Sequence, residues 1–444
     1  MNNFVNFYKI LIFKDFYLFV IWFFILSGIN VNIDYLIIDN NQNILSWIYS
    51  FRAYVQFIIL PFLFYKNLDF FNNIKKINYF FFLFFLYNLI QILSLFLSEN
   101  NNLNIIYNVC ALNVLLFLNI IFTKKNYEIK KIFYIFILLI TLVYLYFYFE
   151  KIYYLIFEDQ IFYGHYGYNS LLAPIHNIPR SSGLGRMALI IFLFIIIFFK
   201  SNSIKNKFIL TVFIIPGIFL TQSRTVIGIY LIVLFIFSFS KYFNLNNLHF
   251  RNLIYNIIYL ILIPLLFSIF LSQLKMTNTI HLKNTFEKYV LKKEVTLNKP
   301  YKKYKILRDI NPASISSYRY DHWKELINKS IVSSPFIGNG TQADRFLINQ
   351  TASNGLIYFF SSSGIIGIVI YFMILIYIIK IFLSRIKNIQ EKTLINKNFI
   401  FSLFIILTFV IRSLVETSYA VFSIDYILFI ISLFILNHEK KSKN

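Results

Sequence analysis

Apolar runs of about 20 residues, the length that spans the hydrocarbon core of a bilayer as a helix, recur from one end of this 444-residue chain to the other. Nothing else in the sequence restricts the fold so much. A soluble domain is roughly 45–50% apolar, whereas this chain is 58% hydrophobic with a mean hydropathy of +0.66. The excess has to face something other than water. The expected fold class is an all-α integral membrane protein with about twelve transmembrane helices. The candidate spans are 16–38, 44–65, 78–98, 102–122, 132–149, 183–199, 207–221, 223–242, 253–274, 353–379, 398–415 and 418–437. The first run is followed by no small-residue cleavage site, so no cleavable signal peptide is expected. Cys110 is the single cysteine and lies within an apolar run, which rules out an intrachain disulfide.

Alternate short loops are rich in lysine: Lys66, Lys75 and Lys76; Lys124, Lys125, Lys130 and Lys131; Lys200, Lys205 and Lys207; Lys241; and Lys380, Lys387, Lys392 and Lys397. The positive-inside rule places these loops, and both termini, in the cytoplasm. The net charge of +23 is thereby read as orientation, and no nucleic-acid partner is expected. Two of the intervening outer loops are long, one at about 150–182 and a large one at 275–352, between spans nine and ten. The chain then divides into 1–274 with spans one to nine, the large outer loop 275–352, and 353–444 with the last three spans and a cytoplasmic tail. No internal repeat is visible.

The arginines lie elsewhere. Abundant Phe, Tyr, Ile, Asn and Lys reflect an AT-rich coding bias, under which a charge needed only as a charge would be lysine. Of ten arginines, Arg251 and Arg385 sit among the cytoplasmic lysines. Arg52 falls inside span two, where an ionised side chain is expensive. Arg180, Arg186, Arg224, Arg308, Arg319, Arg345 and Arg412 fall in outer loops or at outer ends of spans. A guanidinium presents a planar fork that grips phosphate or carboxylate and stays charged when partly buried. The group therefore suggests a polyanionic ligand on the outer face, such as a lipid-linked diphosphate, although each arginine taken singly fits a structural ion pair equally well. Enough arginines could replace a divalent metal beside a diphosphate leaving group.

Other candidates are local. "NIPRSSGLGR" (177–186) enters span six, with Gly183 and Gly185 permitting close backbone approach and Ser181 and Ser182 suited to capping. "TQSRTVIG" (221–228) is a tight outer turn carrying Arg224. "YRYDHWKEL" (318–326) starts an amphipathic helix in which Tyr320 and Trp323 suit an interface and Asp321 or His322 suits a general base. Glu416 follows Arg412 at the i,i+4 spacing that pairs charges on a helix. "FIGNGTQADRFLINQTASNGLIYFFSSSGIIG" (336–367) holds five of the twelve glycines and presents Asp344 beside Arg345. Its "INQTASN" is expected to cap span ten, and its "SSSGIIG" to permit close helix packing within that span. Asp344, His322 and Glu416 are the candidate bases, with no ground for choosing among them. No nucleotide-binding loop and no metal-ligand spacing is present, so neither a cofactor nor a metal is expected and the donor should carry its own energy.

In layout and in the order of "RSSGLGR", "SRT", "R-x-x-x-W" (319–323), "SPFIGNG" (334–340) and "SNGLIYFFSSSGIIG" (353–367), the chain resembles the O-antigen polymerase and O-antigen ligase superfamily of bacterial inner-membrane proteins. The resemblance implies transfer of glycan from undecaprenyl diphosphate on the periplasmic face, with the lipid-linked glycan and membrane lipids as partners and a chain-length regulator protein as a further one. It implies that Arg180, Arg186 and Arg224 hold the donor diphosphate, while Arg319 and Arg345, with Arg412 nearby, act on the glycan or a second diphosphate. Ligases of the group carry a His–Asn pair where this chain has Ser353 and Asn354. The missing histidine favours a polymerase over a ligase that joins glycan to lipid A–core. A flippase of lipid-linked sugar is the alternative from another class, but beyond Arg52 the spans offer little sign of a polar pathway.

Overall fold

The computed structural model describes residues 16–27, 44–68, 79–97, 104–123, 129–157, 181–199, 208–221, 223–242, 258–273, 319–390 and 397–441. Arg180, Arg251, Arg308, the loop beyond Phe157 and the part of the large loop before Arg319 lie outside them. Among the described residues every regular element is helical. Helices fall within all twelve apolar segments. They are α1 Phe16–Ser27, α2 Ile44–Lys66, α3 Tyr79–Leu97, α4 Ile105–Thr123, α5 Ile129–Phe157 and α6 Ser181–Phe198. Then follow α7 (Leu210–Ile214 continued as Ile215–Leu220), α8 Arg224–Tyr242, α9 (Ile258–Leu262 continued as Ile263–Gln273), α12 Gly355–Gln390, α13 Lys397–Ser413 and α14 Ile424–Lys441. The large loop contributes α10 Arg319–Ser333 and the short α11 Ala343–Ile348. By length and composition three helical stretches are long and apolar enough to cross a membrane: Tyr79–Leu97, Phe133–Tyr153 and Gly355–Ser384. Several others are apolar but shorter.

The chain forms two compact units, one of Met1–Leu139, Leu171–Asn177 and Ala313–Asn444, the other of Ile140–Ser170 and Ile178–Pro312. In the second unit, α7 and α9 each begin with a π-helical stretch, and each stretch ends just before a proline. The cause is visible in the backbone. Pro216 and Pro264 have no N–H to offer the carbonyls four residues earlier, those of Val212 and Leu260. Buried tyrosines from neighbouring helices donate instead: Tyr148 Oη to Val212 O at 3.1 Å and Tyr230 Oη to Leu260 O. Tyr144 adds a bond to Phe213 O at 2.6 Å.

In the first unit, α2 and α4 are joined by amides that the sequence reading passed over. Asn113 Nδ2 donates to Gln56 Oε1 at 2.9 Å and to Gln56 O at 3.0 Å. Asn119 Nδ2 donates to Asn67 Oδ1 at 2.8 Å. The contacts are met in the same order along both chains, so the two helices run in the same direction. All four amides are buried; they pair with one another rather than lining an open polar path. Aromatic rings fill the gaps between helices, with Phe23 against Phe117 and Phe24 against Phe136, both at centroid separations of 5.5 Å.

The tenth span departs most from expectation. It is two helices, 355–363 and 365–390, that meet at Gly364 with φ 63° and ψ −153°. A straight helix would hold Phe359 and Tyr371 about 18 Å apart along its axis, yet their ring centroids are 5.1 Å apart. The outer arm is folded back along the inner one. Among the helical bonds that the break removes are those from Ile365 N to Ser361 O and from Ile366 N to Ser362 O. The segment 335–340 satisfies all four groups: Ile365 N donates to Pro335 O (2.9 Å), Ile366 N to Phe336 O (3.4 Å), and Asn339 N and Gly340 N donate to Ser361 O and Ser362 O (2.9 Å each). A Cβ at Gly364 would lie 2.3 Å from the Phe336 carbonyl, and one at Gly338 2.3 Å from Ser363 N. Gly338 and Gly364 serve a backbone dock, while Gly367 permits the close helix packing expected, since a Cβ there would lie 2.3 Å from Phe359 O of the other arm. The expected span from 418 also starts later: 414–423 is a turn, and α14 begins at Ile424.

Gly364→Ala has to place a side chain in a backbone region that glycine alone populates, a strain of about 1–3 kcal/mol, and against the Phe336 carbonyl as well. Thermal unfolding of the detergent-solubilised protein should show a lowered midpoint. Gly228→Ala, at a helical position with no neighbour within 4 Å, should leave the midpoint unchanged or raise it.

Candidate functional site

The three candidate bases and Arg319, Arg345 and Arg412 fall in the first unit, where hydrogen bonds draw their segments to one end of the apolar helices. Asn354 Oδ1 accepts from Ile357 N at 3.1 Å, capping α12 as expected, and its Nδ2 donates to Leu414 O at 2.8 Å. Arg319 Nη1, at the start of α10, reaches Val415 O at 3.4 Å. Trp323 Nε1 donates to Ala352 O at 2.6 Å, and Lys329 Nζ to Leu347 O at 2.7 Å, so α10 is pinned to the segment carrying α11. Gln342, Asn349 and Ser353 all adopt positive φ, folding that segment into a tight path around α11. Arg319 and Arg345 keep exposed side chains, and His322 is half-buried one turn along α10.

The three candidate bases are not equivalent. Asp344 is 3% exposed, and its two carboxylate oxygens accept from Arg345 N (3.0 Å) and Ala352 N (2.7 Å). Burial pushes its pKa up, and the Ala352 N–H and the Arg345 charge only partly offset that. Asp344 closes the 344–352 loop. Glu416 is held by Arg412, the pairing that their spacing suggests. His322 is the one of the three whose side chain is not engaged in fixing backbone or in an ion pair among the contacts described.

Arg412 is 3% exposed at the end of α13. It binds Glu416 with one nitrogen, while Nη1 donates to Asp425 Oδ2 at 2.5 Å and to Ser418 Oγ at 3.2 Å. The planar fork ties α13, the 414–423 turn and the start of α14 together. Asp425 was not anticipated, although an acid inside "VFSIDYILF" is the signal that should have marked it. A second overlooked network runs from α3 to the docked segment. Gln91 Nε2 donates to Tyr87 Oη (2.8 Å), which lies 3.3 Å from Ser362 Oγ. Thr341 Oγ1 meets Gln91 Oε1 at 3.5 Å and accepts from Asn108. Ser94 Oγ donates to Ile337 O at 2.5 Å, and Gln342 N to Tyr358 Oη at 2.9 Å. Gln91 and Ser94 are isolated polar positions in an apolar run, and only the fold brings them together with Thr341 and Ser362.

The second unit holds Arg186 and Arg224. A Cβ at Gly185 would sit 2.7 Å from Thr221 Oγ1, so the start of α6 abuts the turn that leads into α8. Gly185 is small because Thr221 packs on it. Arg186, next in the chain, is half-buried, and Arg224, the first residue of α8, is exposed. Arg180 lies outside the described residues, and Arg52 lies within α2. No family model, curated protein or solved structure matches the chain. The functional reading therefore rests on this geometry and on the residues themselves.

Asp344→Asn keeps one acceptor and sets an amide N–H against a backbone N–H. It should cost about 1–3 kcal/mol, the penalty for a buried group left unpaired, read as a lower unfolding midpoint. The loss should depend on pH. With a folded pKa above the unfolded one, the stability that wild type draws from Asp344 is full below the ordinary carboxylate range and is lost as pH rises through the folded value. The gap between the two midpoints should thus be widest in acid and narrow on raising the pH. Asp425→Ala leaves Arg412 buried with one counter-ion and should cost roughly 3–5 kcal/mol, measured in the same assay.

Proposed function

We propose that this protein is a bacterial inner-membrane glycosyltransferase of polymerase type. It transfers an oligosaccharide from undecaprenyl diphosphate to a sugar hydroxyl on another lipid-linked repeat unit at the periplasmic face. The proposal includes about twelve spans, a large outer loop between spans nine and ten, and cytoplasmic termini. The observation that carries it is the placement of Arg319, His322 and Arg345 on segments hydrogen-bonded onto the ends of apolar helices. Such a placement suits a ligand whose tail is in lipid and whose head is a polyanion.

In this reading the acceptor hydroxyl attacks the anomeric carbon of the donor sugar and the bond from that carbon to the diphosphate oxygen breaks. The diphosphate leaves with the bonding pair, and the hydroxyl proton passes to a base. Arg180, Arg186 and Arg224 are assigned to the donor diphosphate, where guanidinium charge stabilises the leaving group. Arg319 and Arg345 are assigned to the glycan or the second diphosphate. Arg412 is assigned to positioning, because Glu416 and Asp425 already occupy its fork. His322 is the preferred base, since Asp344 and Glu416 are engaged elsewhere. Ser353, standing where a ligase carries histidine, has its hydroxyl 3.0 Å from that of Thr351 and no ring nitrogen to move a proton, which supports polymerase over ligase. The paired amides between α2 and α4 offer no continuous polar route of the kind a flippase needs.

In a host lacking the chromosomal copy, Arg319→Lys and Arg345→Lys should each lower polymerisation by roughly 10- to 100-fold, the factor carried by one lost charge-assisted hydrogen bond of about 1.5–3 kcal/mol. His322→Gln should lower it by about 10²–10⁴-fold, as for a lost general base. The readout is the surface-polysaccharide ladder at equal protein level. Wild-type ladders from all three would sink the proposal. The deletion strain should carry core plus one repeat; accumulation of lipid-linked polymer instead would identify a ligase.

A further inference from the structure

The large outer loop is not uniform along α10. Its residues up to Lys329 include Arg319, Asp321, His322, Lys324, Glu325 and Lys329, whereas no charge occurs from Ser330 to Ala343. At the end of α10 and in the following turn, Ile331, Val332 and Phe336 are 51%, 87% and 67% exposed. Three such side chains in water would form an apolar patch without a purpose. They are not isolated. The backbone of 335–336 is bonded to Ile365 and Ile366, and Ile365 and Ile366 begin the exposed apolar stripe of the inner arm of α12. That stripe continues through Val369, Phe372, Met373, Ile376 and Ile379 at helical spacing. The arm is the long part of a helix apolar enough to cross a membrane, and at 1.5 Å per residue the stretch 365–384 covers about 29 Å. On a helix that crosses a bilayer, an exposed apolar stripe of this kind is the face turned to lipid.

We infer that the tip of α10 and the turn after it, Ile331 to Phe336, extend this lipid-facing surface and are inserted among the acyl chains of the leaflet at the Ile365 end of α12. The occupant of the patch is lipid, because the patch is continuous with a surface that lipid already covers and because the turn carries no charge. Its backbone is protected there by the bonds to 361–366 and by Ser94. The inference rests on α12 crossing the membrane and not on the glycan reading, so it stands or falls separately from the polymerase assay.

The test uses the full-length protein in liposomes, in a Cys110→Ala background, Cys110 being buried. Single cysteines at Val332, Phe336, Lys324 and Ile376 carry an environment-sensitive fluorophore. Aqueous iodide and lipids spin-labelled on the acyl chain serve as quenchers. The probes at 332 and 336 should be quenched by the spin-labelled lipid as strongly as the probe at 376, and should lose the iodide quenching seen at 324. A lipid carrying a photoreactive diazirine on its tail, applied to the wild-type protein, should label the peptide containing Ile331–Phe336. The inference is overturned if 332 and 336 follow 324. It is equally overturned if neither quencher reaches them and the wild-type peptide stays unlabelled, since protein would then cover the patch.

Discussion

A backbone N–H or C=O without a partner is tolerable in water and costly in lipid, where no solvent can take the bond. The helix irregularities at Pro216, Pro264 and Gly364 answer to that constraint. Where Pro216 and Pro264 withdraw a donor, Tyr148 and Tyr230 supply hydroxyls to the carbonyls left behind. Where Gly364 breaks α12, the segment 335–340 takes up two of the released donors and two of the released acceptors. The tyrosines and the docked segment are long-range partners of local faults. Each fault therefore fixes how two distant parts of the chain pack.

The same logic governs the side chains. Several polar groups in the helices meet each other: Gln56 with Asn113, Asn67 with Asn119, Gln91 with Tyr87, and Arg412 with Asp425 and Glu416. Arg412 has to be arginine because a single planar fork serves acids on two elements, which one ammonium cannot do with the same geometry. Arg319 and Arg345 have no such enclosure. The contrast between enclosed and open guanidinium groups separates architecture from candidate chemistry more clearly than their positions in the sequence do.

Much of this was legible in the residues. Hydropathy located the helices, the spacing of Arg412 and Glu416 announced a pair, Asn354 announced a cap, and "YRYDHWKEL" announced an amphipathic helix. What stayed hidden was whatever depends on a partner remote in sequence. Nothing local to "SSSGIIG" distinguishes a packing interface from a reversal of the chain, because both demand small residues. Asp344 read as a candidate base because its backbone partner, Ala352 N, becomes evident only once the loop is closed. Asp425 escaped notice because the pairing expected for Arg412 already looked complete with Glu416.

The docking of 335–340 onto 361–366 has a consequence for how this region tolerates change in length. Its four bonds are set in register, as rungs are in a ladder, and a deletion or insertion of one residue on either side would displace all of them together. Replacing a side chain at Ile337 or Asn339 leaves the backbone free to keep its bonds, whereas altering the number of residues does not. The conserved quantity in such a dock is the count of peptide units, and the chemistry of the side chains is constrained mainly where a Cβ would obstruct the approach, at Gly338 and Gly364.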